Sequence, residues 1–265
     1  MPFTPSHAIV ALPFARTPLL PAAIAVGAMT PDLPLFVRGT PLTYAVTHSN
    51  VLVTGLVALS LLVVWYAVLR PAVRELSPAW LARRLPPEWD AIGSAAWRAV
   101  RAARPGARAE IWREGGVFAA LVALSLMLGV VSHIVWDAFT HEGRWGLDVF
   151  PVLTRQWGAL PGYKWLQYGS TVAGLVVLAV FAFVWLRRRH EAAVTRLLPS
   201  SVRWLWWISL PVALVVAWIV GLVVWGPLDA DFTVAHLGYR VLPPACAVWG
   251  ALTFALCLVV VTRRR

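Results

Sequence analysis

Only two cysteines occur in 265 residues, Cys246 and Cys257, and both lie in one apolar run near the C-terminus. Eleven residues of helix would separate them by ~16 Å, too far for a disulfide. No CxxC pair or other thiolate site is present, so any metal must be held by histidine and carboxylate. Charge is also scarce: 13% of residues are charged, against about 25% in an ordinary soluble domain. Acidic side chains are fewest, 12 against 23 basic ones, for a net charge of +11. In a soluble protein that excess would suggest a nucleic-acid partner. In a chain that is 60% hydrophobic it is better read as a set of topology determinants, and no nucleic acid is expected. A phosphate-cradling Gly-rich loop, a Gly-x-Ser-x-Gly elbow and an HExxH pair are all missing. So is a basic n-region followed by an unbroken apolar stretch: Pro2, Pro5, Pro13, Pro18 and Pro21 interrupt the start, and no cleavable signal peptide is expected.

What the chain does have is apolar length. Five stretches approach the ~20 residues needed to span a bilayer: Val51 to Leu69, Val117 to about Asp137, Tyr168 to Leu186, about Trp207 to Gly226, and about Leu242 to Val261. An all-α, polytopic integral membrane bundle follows, read as one membrane domain over 1–265. Residues 1–49 are apolar but punctuated by proline, which predicts a broken N-terminal helical hairpin rather than a clean span. Residues 70–116 form the long polar segment. Within it Trp89, Ile92, Ala96, Val100 and Ala103 share one helical face while Arg98, Arg101, Arg104 and Arg108 share another. This predicts a basic amphipathic helix near Asp90 to Ala103 on anionic headgroups. Trp204, Trp206 and Trp207 beside Arg203 read as interfacial anchors.

Five spans place 17 of the 23 Lys and Arg on one side. By the positive-inside rule that side is the cytoplasm, which holds residues 70–116 and the C-terminus and leaves the N-terminal region outside. The same topology puts His7, His48, His133, His141 and His236 outside, together with Asp32, Asp137, Glu142, Asp148, Asp229 and Asp231. The topology used only Lys and Arg, so this gathering is an independent result. It points to a metal site at the outer membrane face. The spans themselves hold almost no ionisable groups, which counts against an ion conduit.

The clearest local signal is Ser132-His133-Ile134-Val135-Trp136-Asp137-Ala138-Phe139-Thr140-His141. At ~100° per residue His133, Asp137 and His141 share one helical face, and neighbours sit ~6 Å apart along the axis. His133 and His141 would be ~12 Å apart at Cα in a straight helix, so either a break near Thr140 or a second ion is expected. Each further candidate has a plainer reading: His7 as a helix cap, Asp32 in an Asx-type turn, His48 as a cap on the first span.

Four pieces resemble a known family: Pro2-Phe3-Thr4-Pro5-Ser6-His7, Met29-Thr30-Pro31-Asp32, Thr47-His48-Ser49, and the His133 to His141 element. Together with Tyr163-Lys164-Trp165-Leu166-Gln167-Tyr168-Gly169-Ser170 they look like an uncharacterised bacterial membrane-protein family with a Pro-Phe-Thr-x-Ser-His opening. More distantly, the order of His, Pro-Asp, Thr-His-Ser and Ser-His-x-x-x-Asp is similar to membrane-bound metal-dependent hydrolases of the zinc-dependent phospholipase C-like group. That resemblance implies metal ligation by His7, Asp32, His48, His133 and Asp137. Two departures stand out: Leu33 and Pro34 follow Asp32 in place of a longer acidic element, and Tyr44-Ala45-Val46 replaces a His-Arg-Gly before Thr-His-Ser.

The expected cofactor is a divalent metal, zinc first because histidine and carboxylate without thiolate suit it. In a hydrolase Asp137 or Glu142 would accept a proton and His141 would protonate a leaving oxygen. The expected partners are the lipid bilayer and an amphiphilic or lipid-linked phosphoester. The alternative is a non-catalytic membrane scaffold or metal-binding assembly protein.

Overall fold

The computed structural model describes residues 3–102 and 115–264. The chain is an all-α, polytopic membrane helical bundle, the expected outcome where lipid leaves every backbone N–H and C=O to be satisfied within its own helix. Among the described residues, five helices are long and apolar enough to cross a membrane: Val51–Leu76, Gly116–Thr140, Gly162–Arg187, Ser200–Trp225 and Val234–Arg263. All five were legible in the sequence, and all run longer than their apolar cores. Arg70-Pro71 does not stop the first one. The helix passes through a π-turn at Trp65–Leu69 and continues to Leu76, an adjustment that accommodates the missing proline N–H. Pro211, and the pair Pro243 and Pro244, sit inside the last two helices, as the spans read from the sequence already had them.

The described chain forms two compact units. The first takes in residues up to Leu33, Leu42–Val63 and the second and third long helices. Its N-terminal segment is the broken hairpin: a 3-10 helix Thr4–Phe14, a short α-helix Pro21–Met29 and a 3-10 turn Thr30–Leu35. The first helix starts at Thr4, because Pro5 fits the first turn, where its missing N–H costs nothing. Glycine decides how closely these pieces pack. A Cβ on Gly27 would collide with the Leu126 carbonyl, and one on Gly129 with the Ile24 carbonyl and Ala28 nitrogen. The short helix and the second long helix thus cross backbone to backbone, as small residues permit in membrane proteins. Leu20 N–H donates to Ser125 Oγ at 2.9 Å at the same crossing. The N-terminus is fixed to the third long helix, where Phe3 N–H donates to Thr171 Oγ1 at 3.1 Å. Ser6 there faces Gly174. Between the second and third long helices lies a minimal antiparallel hairpin, Gln156–Trp157 with Leu160–Pro161.

The second unit comprises Pro34–Pro41, Val64–Val100 and Arg189–Arg265. Its two long helices are joined through tryptophan: Trp206 stacks on Trp249 with centroids 5.2 Å apart, and their indole N–H groups reach Thr253 and Ser209. Trp206 is therefore a packing residue, while Trp204 and Trp207 are exposed. The polar segment is helical over Arg70–Leu76, Ala79–Arg84 and Gly93–Ala102. On the last of these Ala96 is buried and Trp97 lies against Tyr66 at 5.2 Å, so part of its apolar face rests on protein. Ala103, Arg104 and Arg108 of the expected amphipathic helix lie outside the described residues.

Candidate metal centre

Four elements of the first unit contribute side chains to one point: the Thr4–Phe14 helix, the Thr30–Leu35 turn, the Tyr44–Ser49 helix and the second long helix. His133 is fully buried on the second long helix. Its Nδ1 lies 2.7 Å from the Ala28 carbonyl; a carbonyl only accepts, so Nδ1 carries the proton and Nε2 keeps its lone pair. The glycine crossing creates this bond, since it brings Ala28 against the second helix. The same tautomer is set at His48, whose Nδ1 donates to the Tyr44 carbonyl at 3.0 Å. Fixing a histidine's ligating nitrogen through its other ring nitrogen is how metal ligands are held.

The Nε2 of His133 then points at two carboxylates, 3.4 Å from Asp137 Oδ2 and 3.7 Å from Asp32 Oδ1. His48 Nε2 lies 3.5 Å from Asp137 Oδ2, and His7 Nε2 lies 3.7 Å from Asp137 Oδ1. These spacings exceed hydrogen-bond range. Two ligands about 2.1 Å from a shared ion at a tetrahedral angle lie about 3.4 Å apart, which is the spacing seen. Ligand atoms of Asp32, His48, His133 and Asp137 all fall within 4.8 Å of one another, and all four residues are buried. These four can hold a metal ion. His7 adjoins them with its ring stacked on His133, centroids 4.0 Å apart. His48 meets the His133 ring edge-on at 5.3 Å.

The orphaned atoms make the same point. Buried side-chain atoms without a hydrogen-bond partner include His7 Nε2, Asp32 Oδ1, His48 Nε2, His133 Nε2 and Asp137 Oδ1. Leaving one buried polar group unsatisfied costs roughly 1–3 kcal/mol, and five such atoms converging on one spot fit a shared cation. Burial, reinforced by His133, holds the His7 imidazole down to about 3 and hence neutral, the form that ligates. Burial also raises the Asp32 carboxyl above the usual carboxylate range, a cost that a bound cation would offset.

The plainer readings fail on geometry. Thr43 Oγ1 caps the Tyr44–Ser49 helix and Asn50 Oδ1 caps the first long helix, so His48 caps neither. His7 lies within its 3-10 helix rather than at its end. Asp32 Oδ2 accepts from Thr4 Oγ1 at 2.7 Å, a contact across the hairpin.

His141 follows the expected break: the helix ends at Thr140. Its Nδ1 then folds back to 3.2 Å from the Asp137 carbonyl and 3.5 Å from Asp137 Oδ2. Lys164 Nζ, which only donates, fixes Gln167 Oε1 as acceptor at 3.0 Å, so Gln167 Nε2 donates to His141 Nε2 at 3.1 Å. Both ring nitrogens are therefore occupied, with the proton on Nδ1. Burial pushes this imidazole down to about 4. Glu142 is exposed and accepts from Tyr163 OH at 3.2 Å; it does not join the cluster. His236 instead accepts from Thr233 N–H in a helix capping box.

Three supporting residues escaped the sequence reading. Tyr44 OH donates to Asp137 Oδ2 at 3.0 Å while its ring stacks on His48 at 3.7 Å. Thr47 Oγ1 donates to the Pro31 carbonyl at 2.7 Å, tying the His48 turn to the Asp32 turn. Gln167 is fully buried near the start of a membrane-length helix. Tyr44 sits four residues before His48, on the same helical face, which was the one available signal.

No curated protein and no solved structure matches the chain. A family profile matches residues 1–262, nearly the whole length, and the chain belongs to that family, described as a domain of unknown function (DUF4184).

Proposed function

We propose that the protein is a membrane-bound metal-dependent hydrolase, with a divalent ion held by His7, Asp32, His48, His133 and Asp137. The observation that carries this reading is the convergence of five buried, unpartnered ligand atoms, with the imidazole Nε2 atoms 3.4–3.7 Å from the carboxylate oxygens of Asp32 and Asp137. Zinc is the first choice, since three imidazoles and two carboxylates without thiolate suit it. When bound, the ion supplies Lewis acidity to water and to a phosphoryl oxygen. The protein's own residues do the rest. Tyr44 steadies Asp137, the Ala28 and Tyr44 carbonyls orient His133 and His48, and Gln167 holds His141 with its proton on Nδ1 facing Asp137. Asp137 and Glu142 are the carboxylates available to accept a proton, and Asp137 is the one within the cluster.

A cleft of about 460 Å³ supports an amphiphilic substrate. It runs from His7 along Val10, Trp136 and Gly174, with Ser132 and Ser170 as its polar edge. Its apolar wall suits an acyl or prenyl chain, and of the five proposed ligands His7 lines the cleft. The site faces the non-cytoplasmic side under the positive-inside orientation, within a single membrane domain whose 70–116 segment is cytoplasmic. The complete burial of His133 and near-complete burial of Asp32 and Asp137 favour a second reading, a metal-stabilised scaffold.

Metal analysis of detergent-purified protein, followed by assay on amphiphilic phosphodiesters before and after chelation, tests both. One ion per chain and chelator-sensitive hydrolysis restored by zinc is the result expected. Metal without hydrolysis selects the scaffold, and protein purified without metal that takes up none from zinc buffers overturns both.

A further inference from the structure

The second unit contains a larger cleft, of about 940 Å³, that the metal site does not involve. Arg83, Arg196, Arg203, Trp204, Trp207 and Glu191 are among the side chains that line it. We propose that it binds the headgroup of an anionic phospholipid.

The position is one where headgroups lie. Leu76 ends one membrane-length helix and Ser200 begins another, and Trp207 Nε1, two turns into the second, donates to the Leu76 carbonyl at 2.8 Å, tying the two helices together near those ends. Trp204 and Trp207 are exposed beside that junction, and exposed tryptophans at span ends mark the membrane interface.

The charge there is unbalanced. Among the described residues, six guanidinium groups (Arg74, Arg83, Arg84, Arg196, Arg203 and Arg264) gather around three carboxylates, Glu75, Asp90 and Glu191. Asp90 is shared by Arg74 and Arg264, and Glu191 by Arg83 and Arg84. Arg196 donates only to carbonyls, those of Arg74, Glu75 and Ser77. Carbonyls satisfy its hydrogen bonds without cancelling its charge, so the wall keeps an excess of positive charge.

The wall is also built in advance. Fully buried Glu75 accepts from the backbone N–H groups of Leu197 and Leu198 at 3.0 and 3.1 Å. Buried Arg74 donates to the Ala193 carbonyl at 3.0 Å, and Ala192 N–H to the Arg83 carbonyl at 2.8 Å. These bonds pin the extended 190–199 strap as one side of the cleft. Basic pockets between membrane helices select anionic headgroups.

Native mass spectrometry of the delipidated full chain, titrated with phosphatidylglycerol or phosphatidylcholine, tests this. Phosphatidylglycerol should bind at least tenfold more tightly. Arg83→Gln and Trp204→Ala change exposed side chains without touching the buried bonds, and each should weaken phosphatidylglycerol about fivefold or more. Arg155→Gln, an exposed arginine of the other unit, should change nothing. Equal binding of the two lipids overturns the proposal, as does phosphatidylglycerol binding unchanged in both cleft variants. Displacement of the lipid by millimolar inorganic phosphate would make this a small-anion site and overturn it too.

Discussion

Replacing His133 separates its two roles, because its nitrogens face different partners. Nδ1 serves the fold through Ala28, and Nε2 faces the carboxylates of the proposed metal site. His133→Ala removes both, leaving a cavity and an unpaired buried carbonyl that alone costs about 1–3 kcal/mol. His133→Asn is the sharper perturbation: its amide ends where Nδ1 lies and can still donate to Ala28, but it offers nothing at Nε2. A four-ligand structural zinc site contributes roughly 10–16 kcal/mol, so one ligand accounts for about 3 kcal/mol, or about 100-fold in affinity. At zinc buffered to 100 times the wild-type Kd, binding stabilises the parent by about 2.7 kcal/mol and a 100-fold weaker variant by about 0.4 kcal/mol. The assay is the unfolding midpoint of chelator-stripped protein in detergent as free zinc is raised. The parent midpoint should climb by roughly 5–10 °C. His133→Asn should start near the parent's metal-free value and barely move. A zinc-dependent climb equal to the parent's would refute the assignment of His133 as a ligand.

Tyr44→Phe removes only the hydroxyl on Asp137 Oδ2 and should weaken metal 10–100-fold by competition with a chelator, with little loss of fold. Gly129→Leu drives a side chain into the Ile24 and Ala28 backbone. It should cost about 3 kcal/mol or more and lose metal as well, since the same crossing carries Ala28 and leads into Asp32. Without metal, acid should destabilise the protein. Burial holds His7 near 3 and His141 near 4, below their ordinary 6.5, so the unfolded chain takes up protons that the folded chain refuses. The midpoint of chelated protein should therefore fall as pH drops from 6.5 towards 4, with raised Asp32 acting in the opposite sense; a flat profile would contradict the burial of these rings. A reporter fused after Arg265 should be active in the form that works in the cytoplasm, and activity restricted to the outside would reverse the proposed orientation.

The sequence by itself determined the membrane helices and the His133–Asp137 pair. Both are local consequences of chain geometry: lipid demands about 20 apolar residues in helix, and four residues return a side chain to the same face. The end of the second long helix at Thr140 was legible for the same reason, from the reach that His141 would otherwise need. Where the helices end otherwise was less legible, because Arg70, Pro71 and Arg74 look like a boundary until half-buried Asp90 pairs with Arg74 and the π-turn Trp65–Leu69 accommodates the proline. Only the tertiary structure decided which distant residues meet. His7, Asp32 and His48 reach His133 through a glycine crossing at Gly27 and Gly129, the Thr47–Pro31 bond and the Phe3–Thr171 bond. None of these leaves a spacing pattern, since close approach depends on the absence of a Cβ and on single hydroxyl contacts. Tyr44, Gln167 and the Glu75-centred wall were hidden likewise: their roles come from partners 93, 26 and about 120 positions away, and no local period connects residues that only folding brings together.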